Sequence, residues 1–279
     1  ETVDHTRKLK FVQEYKNNLD EKSKPSITKY KGKPYTKISF IPDYKRLGIS
    51  GLSPSMIKQF EKRTYDIAAV TDKLVKVKWN NSLIPVKTLS QYIDLYIEDG
   101  TKKIYEEGGE RWSYGVIISP VDEFKQVSFV NGIYTSKGGK HVDYIMNQII
   151  KKMCAFIQKK KKIDVKPTTI KEQIMLFLRC DIDNPAFDSQ TKDYMNTPSS
   201  KFGSQCVVSD KFIEKLAKMG VMDSACALTE VKENKTAKKS DGSKSKSIRG
   251  IPKLVDANYA GTAKSSLCTI IFCEGDSAK

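Results

Sequence analysis

"QIMLFLRCDI", residues 173–182, decides how the chain is read. From Gln173 to Ile182 the run is almost continuously apolar, with no alternation of apolar and polar positions. A strand with one wet face would alternate; a run this continuous belongs to a strand covered on both faces, in the middle of a sheet. Immediately before it, "GGKHVDYIMNQIIKKMCAFIQKKKK" (138–162) places Val142, Ile145, Met146, Ile149, Ile150, Met153 and Phe156 at helical spacing. Two strand-like runs precede that helix, "RWSYGVIIS" (111–119) and "KQVSFVNG" (125–132). Two shorter helices follow, around "DKFIEKLAKMG" and "MDSACALTEV" (210–231). The second part of the chain is therefore expected to combine strands, one of them central, with a long helix and shorter ones, an α+β content.

Upstream, the order reads strand, helix, strand, helix. "YTKISFI" (35–41) and "KLVKVKW" (73–79) alternate as half-buried strands. "SPSMIKQFEKRTYDIAAV" (53–70) opens a helix with Ser53 as N-cap and Pro54 at the first helical position. "NNSL" is a turn, and "TLSQYIDLYIED" (88–99) is a short amphipathic helix. Gly100, Gly108 and Gly109 suggest a boundary near 98–110. Between Lys232 and Lys253 the chain becomes rich in Lys, Ser and Gly, as in a linker or surface loop. "SLCTIIFC" (266–273) then has the pattern of a buried strand.

The 279 residues are enough for two ordinary domains. No run of eighteen apolar residues spans a membrane, and the N-terminus has no apolar signal core. It also lacks Met, so a longer parent chain is expected. Six dispersed Cys with no C-x-x-C pair, and only two His, argue against a zinc site or a disulfide scaffold and point to an intracellular protein. The net charge of +16, from 49 Lys+Arg against 33 Asp+Glu, favours polyanions; a surface merely decorated with lysine gives the same number.

Four places could carry chemistry. Lys159, Lys160, Lys161 and Lys162 end the long helix, where one or two lysines would satisfy the dipole. Four repel one another, which a phosphate backbone would relieve. "DNPAFDSQTKDYM" (183–195) follows the central strand and offers an amide, a hydroxyl and an ammonium in Gln190, Thr191 and Lys192. That set suits a terminal phosphate, although polar loops commonly look alike. "KLVDANYAG" (253–261) gives a basic entry through Lys253 to a piece with small residues. The ending, "TIIFCEGDSAK", puts Glu274 and Asp276 on a turn after an apolar strand, which fits either a divalent metal or a capped helix start with Asp276 or Ser277 as cap.

Taken together these segments resemble the eukaryotic and viral type of DNA topoisomerase II (type IIA). "EGDSA" (274–278) resembles the first TOPRIM signature, "KLVDANYAG" the KLxDA segment, "SQTKDYM" (189–195) the QTK loop, and "SFVNGIYTSKGGKHVDYIMNQI" (128–149) the transducer signature. "YTKISFIPDYKRLGI" (35–49) is similar to the last part of the ATPase domain, and the matches run in family order. The resemblance implies the end of a GHKL-type ATPase domain over 1–97. It also implies a transducer with a ribosomal-protein-like β-α-β fold over 98–233, a Lys-rich linker and KLxDA segment over 234–264, and the first TOPRIM strand over 265–279.

The same resemblance implies site roles. Lys192 would neutralise the γ-phosphate of ATP, with Gln190 orienting it and Thr191 beside them. Lys159–Lys162 and Lys253 would contact double-stranded DNA, and Glu274 would help hold Mg²⁺ and act as acid/base at the scissile phosphate. It further implies a homodimer, nuclear in a cellular eukaryote or in a virion or viral factory otherwise. The GHKL Glu/Asn helix, the TOPRIM DxDxD carboxylates and the tyrosine nucleophile do not occur here, so this stretch alone is expected to be inactive. The alternatives are a basic nucleic-acid-binding module without enzymatic activity and a TOPRIM nuclease or primase-type protein.

Overall fold

The computed structural model describes residues 1–230, 257, 259 and 261–270. They form two compact units. The first comprises Glu1–Tyr65 with Val77–Ile84, and the second Asp66–Lys76 with the residues from Pro85 onward.

The first unit carries a three-stranded antiparallel sheet of β1 (Thr2–Asp4), β2 (Leu9–Val12) and β5 (Ser26–Lys29), with β2 central. Between β2 and β5 lies a two-residue ladder, β3 (Tyr15–Lys16) with β4 (Glu21–Lys22). Helix α1 (Pro54–Val70) starts where Ser53 and Pro54 placed it: the Met56 amide donates to Ser53 Oγ at 3.3 Å. The alternating stretch 35–41 is not a strand. Only Thr36 makes a bridge, to Thr2, while Ile38, Phe40 and Ile41 are more than 80% exposed. Period-two alternation specifies a face, but a strand also needs a neighbouring ladder. Among the described residues that ladder is limited to the amide hydrogen bonds flanking Thr36, from the Val3 amide to the Tyr35 carbonyl and from the Lys37 amide to the Glu1 carbonyl. Of the expected strand 73–79 only β6 (Lys78–Trp79) forms, paired with β7 (Ser82–Leu83). Asn80 and Asn81, at φ 46° and 67°, make the tight turn between them.

In the second unit the short helix α2 (Leu89–Ile93) is capped by Thr88, whose side chain accepts from the Gln91 amide at 3.2 Å. It continues as a 3₁₀ turn, Asp94–Tyr96. The main sheet then runs β8 (Ile104–Glu107), β9 (Trp112–Ile118), β10 (Lys125–Val130) and β11 (Ile133–Tyr134) in sequence. After β12 (Gly138–Gly139), the helices α3 (Lys140–Lys161) and α4 (Pro167–Glu172) lead into β13 (Ile174–Cys180). In space the order is β11-β10-β13-β9-β8, so the apolar run is the central strand. It pairs parallel with β10, from Lys125↔Met175 to Val130↔Cys180, and antiparallel with β9, from Ile174↔Ile118 to Cys180↔Trp112. With α3 as the crossover, β10, α3 and β13 make the β-α-β unit of a mixed sheet.

Both faces of β13 are covered, which is why its sequence does not alternate. Ile174, Leu176, Leu178 and Cys180 join the core built with Val142, Ile145, Met146, Ile149, Met153 and Ile157 of α3. On the other face Phe177 meets Tyr96 edge-on at 5.0 Å, and Phe129 of β10 meets Tyr92 at 6.0 Å. Tyr92 also donates to the buried Asp66 carboxylate at 2.7 Å. Burial and this acidic acceptor push the Tyr92 hydroxyl far above its ordinary pKa.

Beyond β14 (Tyr194–Met195), helix α5 (Asp210–Leu216) is capped by Ser209, which accepts from the Phe212 amide at 3.0 Å. The helix is interrupted by a kink within Ala217–Val221, where Gly220 sits at a non-helical φ of 116°, and residues 222–230 are again helical. The strand expected from Ser266 does not begin there. Ser265–Leu267 is a 3₁₀ turn and residues 268–270 have no regular structure, with Leu267 and Ile270 each 71% exposed. Among the described residues no strand pairs with 268–270. Residues 271–273 lie outside the described residues, as does the Lys-rich stretch 232–253.

Candidate functional site

The loop leaving β13 is a closed hairpin. Its start is pinned by Asn131, whose Oδ1 accepts from the Ile182 amide at 2.8 Å and whose Nδ2 donates to the Ile182 carbonyl at 2.9 Å. Farther out, Phe187 bridges Met195, the Asn196 amide donates to the Ala186 carbonyl (2.8 Å), and the Asp188 amide donates to the Tyr194 carbonyl (3.1 Å). The tip is therefore Ser189 to Asp193, and Gln190, Thr191 and Lys192 stand together on it. Gln190 and Thr191 are exposed and Lys192 is half-buried.

Local chemistry shapes this tip. The Lys192 amide donates to the Ser189 carbonyl at 3.1 Å, and Lys192 itself lies at φ 60°, a left-handed conformation uncommon for a residue with a Cβ. Thr191 Oγ1 is 2.7 Å from Ser189 Oγ and donates to Asp193 Oδ2 at 2.9 Å. The Lys192 ammonium is 5.8 Å from the Phe187 ring centroid. Among the described residues no carboxylate lies within ion-pair distance of it.

Asp193 joins the tip to the turn before α3. Its Oδ1 accepts from Ser136 Oγ at 2.8 Å, its Oδ2 faces Lys137 Nζ at 3.6 Å, and its carbonyl accepts from the Lys137 amide at 2.9 Å. These hydroxyl and ammonium partners, Ser136 first, hold the carboxyl below its ordinary range. Next in the chain, β12 pairs in parallel with β14, Gly138 with Tyr194 and Gly139 with Met195. A Cβ on Gly139 would run into the Met195 backbone.

Behind the turn lies a buried polar cluster. Thr135 Oγ1 is 2.5 Å from Ser128 Oγ and 3.1 Å from His141 Nε2, and it donates to the Ser128 carbonyl at 3.0 Å. Among the described residues only Nε2 of His141 has a hydrogen-bond partner, Thr135, while the buried Nδ1 has none. Protonation would leave both ring N–H groups donating where the described residues offer one partner, and burial pushes His141 down to about 3.

The four lysines occupy the opposite end of α3. At 22 residues this helix is about 33 Å long, so the structure does not bring the two candidate sites together. Lys159, Lys160 and Lys161 form the last turn, and Lys162 is the left-handed C-cap, its amide donating to the Gln158 carbonyl at 3.1 Å. All four are exposed, and Lys161 faces Asp223 at 3.7 Å. Lys152, by contrast, is held inward by the Val208 carbonyl (2.6 Å) and Asp210 (2.7 Å). Glu274 and Lys253 lie outside the described residues. Among the described residues no cluster of three His, Cys, Asp or Glu side chains could hold a metal.

Asp193, Ser136 and His141 were not singled out by the sequence. An acid directly beside Lys192 was a visible signal for the first. Nothing in the sequence links it to Ser136, 57 residues away. His141 sits on the buried stripe of α3, where its neighbour Val142 marked the face.

A family model described as DNA gyrase B matches residues 88–246, more than half of the chain and the part that contains the main sheet, α3 and the 183–195 hairpin. The chain belongs to the type IIA DNA topoisomerase family. It is 42% identical to DNA topoisomerase 2 of Arabidopsis thaliana, over the whole of this chain and 20% of that protein. It is 39% identical to DNA topoisomerase 2 of Acanthamoeba polyphaga mimivirus, over the whole of this chain and 22% of that one. Among solved structures, the ATPase region of Saccharomyces cerevisiae topoisomerase II superposes with a TM-score of 0.77 at 34% identity, covering 82% of this chain and 59% of that one. The architecture is thus that of a type IIA topoisomerase ATPase and transducer region. The chain spans about a fifth of the length of the curated relatives it matches.

Proposed function

We propose that this chain is the signalling segment of an ATP-dependent type IIA topoisomerase, a homodimer that passes one DNA duplex through a transient break in another. In this reading residues 1–97 end a GHKL-type ATPase domain, 98–233 are the transducer, 234–264 a linker with the KLxDA segment, and 265–279 open the TOPRIM domain. The observation that carries the proposal is the hairpin tip: an amide, a hydroxyl and an ammonium, presented together on a braced loop at the carboxyl end of the central strand.

That donor set fits the terminal phosphate of ATP. Bound ATP supplies the phosphoanhydride whose cleavage drives the cycle. Lys192 offers the charge that neutralises the γ-phosphate, Gln190 offers amide protons that orient it, and Thr191 is tied back into the tip. The hairpin is joined through β12 and β14 to the first turn of α3, so a shift of the tip is delivered to a single rigid helix. Lys159–Lys162, at its far end, would contact the duplex backbone without reading sequence, and Lys253 would add a contact of the same kind. Glu274 would help hold Mg²⁺ and serve as acid/base in cleavage.

The test is Lys192→Ala in the full-length protein. ATP-driven relaxation of supercoiled DNA is expected to fall at least tenfold, the scale of one lost charged contact to a reacting phosphoryl group, while duplex binding stays within about twofold. Unchanged relaxation would remove the assignment.

A further inference from the structure

We propose that Asp193 is a positioning residue for Lys192: its carboxylate clasps the Ser136–Lys137 turn and thereby fixes the hairpin tip from which Lys192 reaches the γ-phosphate. This inference rests on the reading of Lys192 given above.

Lys192 lies between two residues held by one carboxylate, Thr191 through its hydroxyl at 2.9 Å and Asp193 itself. Its left-handed backbone, φ 60°, is disfavoured for any residue with a Cβ, so an unbraced tip would relax toward other conformations. Both carboxylate oxygens are used in the brace. Oδ1 takes the Ser136 hydroxyl at 2.8 Å; Oδ2 takes Thr191 and faces Lys137 at 3.6 Å.

The clasp is fastened to a buried anchor. The Ser136–Lys137 turn follows Thr135, which is wholly buried and hydrogen-bonded to Ser128 and His141, and precedes the β12–β14 pairing. The Lys137 amide adds a backbone bond to the Asp193 carbonyl at 2.9 Å. The anchor belongs to the core of the unit, and the hairpin tip is the part being held.

An aspartate adjacent to a phosphate-binding lysine would ordinarily compete for its ammonium. Here Ser136, Thr191 and Lys137 occupy the carboxylate, and the Lys192 ammonium lies near the Phe187 ring instead. The clasp therefore braces the backbone of Lys192 and leaves its charge available to an incoming anion.

The experiment is a double-mutant cycle in the full-length protein, read as steady-state ATP hydrolysis with DNA present. Asp193→Ala should lower kcat about tenfold with KM for ATP within about twofold, because the loss is one of orientation rather than of nucleotide contacts. Ser136→Ala, which removes one exposed hydrogen bond and leaves the hairpin sequence intact, should lower kcat about threefold, in line with a single neutral bond. In a Lys192→Ala background Asp193→Ala should change kcat by less than about twofold, since a residue acting through Lys192 has nothing left to position. Multiplicative losses in the double variant would overturn the proposal, as would wild-type kcat in both Asp193→Ala and Ser136→Ala. If Lys192→Ala alone left hydrolysis unchanged, the reading of the hairpin itself would fall. An active Asp193→Ala beside an impaired Lys192→Ala would remove only the clasp.

Discussion

His141 gives the second unit an acid sensitivity that can be worked out from its surroundings. The ring is wholly buried, Nε2 is 3.1 Å from Thr135 Oγ1, and among the described residues Nδ1 has no hydrogen-bond partner. Burial pushes its pKa from 6.5 down to about 3. Between those values the unfolded chain binds a proton that the native unit refuses, so stability is complete above about pH 6.5 and falls as the pH drops toward 3. The slope is about 1.4 kcal/mol per pH unit, and moving from pH 7.5 to 5.0 should cost about 2 kcal/mol from this residue alone. For a unit of this size that is about 4–8 °C in Tm.

The measurement is urea unfolding of residues 1–279 carrying Trp79→Phe. Of the two tryptophans this leaves Trp112, buried in β9, as the reporter of the second unit. The comparison is with the same chain carrying His141→Phe, which keeps a ring but cannot titrate. Carboxylates contribute equally to both, so the difference in their pH dependence isolates the imidazole. The parent should lose about 2 kcal/mol more than the variant over this interval. Equal losses, or an imidazole that titrates near 6.5 by NMR in the folded protein, would refute the reasoning.

Two further outcomes follow from geometry. Gly139→Ala should destabilise the second unit by about 3 kcal/mol or more, because φ 140° disfavours a side chain and the new Cβ meets the Met195 backbone; a midpoint within error of the parent would contradict it. Replacing Lys159–Lys162 with Ala in the full-length protein should flatten the plot of log K for duplex DNA against log salt by about 3 units, four phosphate contacts being worth at most about 3.6. An unmoved slope would leave those lysines as a solvated helix end.

The sequence was most legible where burial was most complete. Residues 173–182 could be assigned to the middle of a sheet because two covered faces erase alternation, and α3 because its apolar stripe repeats over several turns. It was misleading where the pattern lacked a partner. Residues 35–41 alternate as well as any strand, yet a ladder is a property of two segments, and only Thr36 finds one. Of the apolar run after Ser265 only residues 266–270 are described, and they form a 3₁₀ turn followed by irregular chain. The hairpin tip was legible as a set of chemical groups, but Asp193 and Ser136 meet only because β12 pairs with β14, a register that no local window contains.

The position of β13 also fixes the order in which the sheet can be completed. Its partners in β9 lie 56 residues earlier at Ile174↔Ile118, and those in β10 lie 50 earlier at Lys125↔Met175. It inserts between two strands that do not pair with each other. On a ribosome, β9 and β10 therefore emerge first with their inner edges open, waiting while the crossover helix is made. Such long-range pairing is slow, and an unpaired apolar edge is the usual starting point of aggregation. The nascent chain is most vulnerable just before Cys180 clears the exit tunnel, and the hairpin that carries Lys192 is the first segment to be built on the finished sheet.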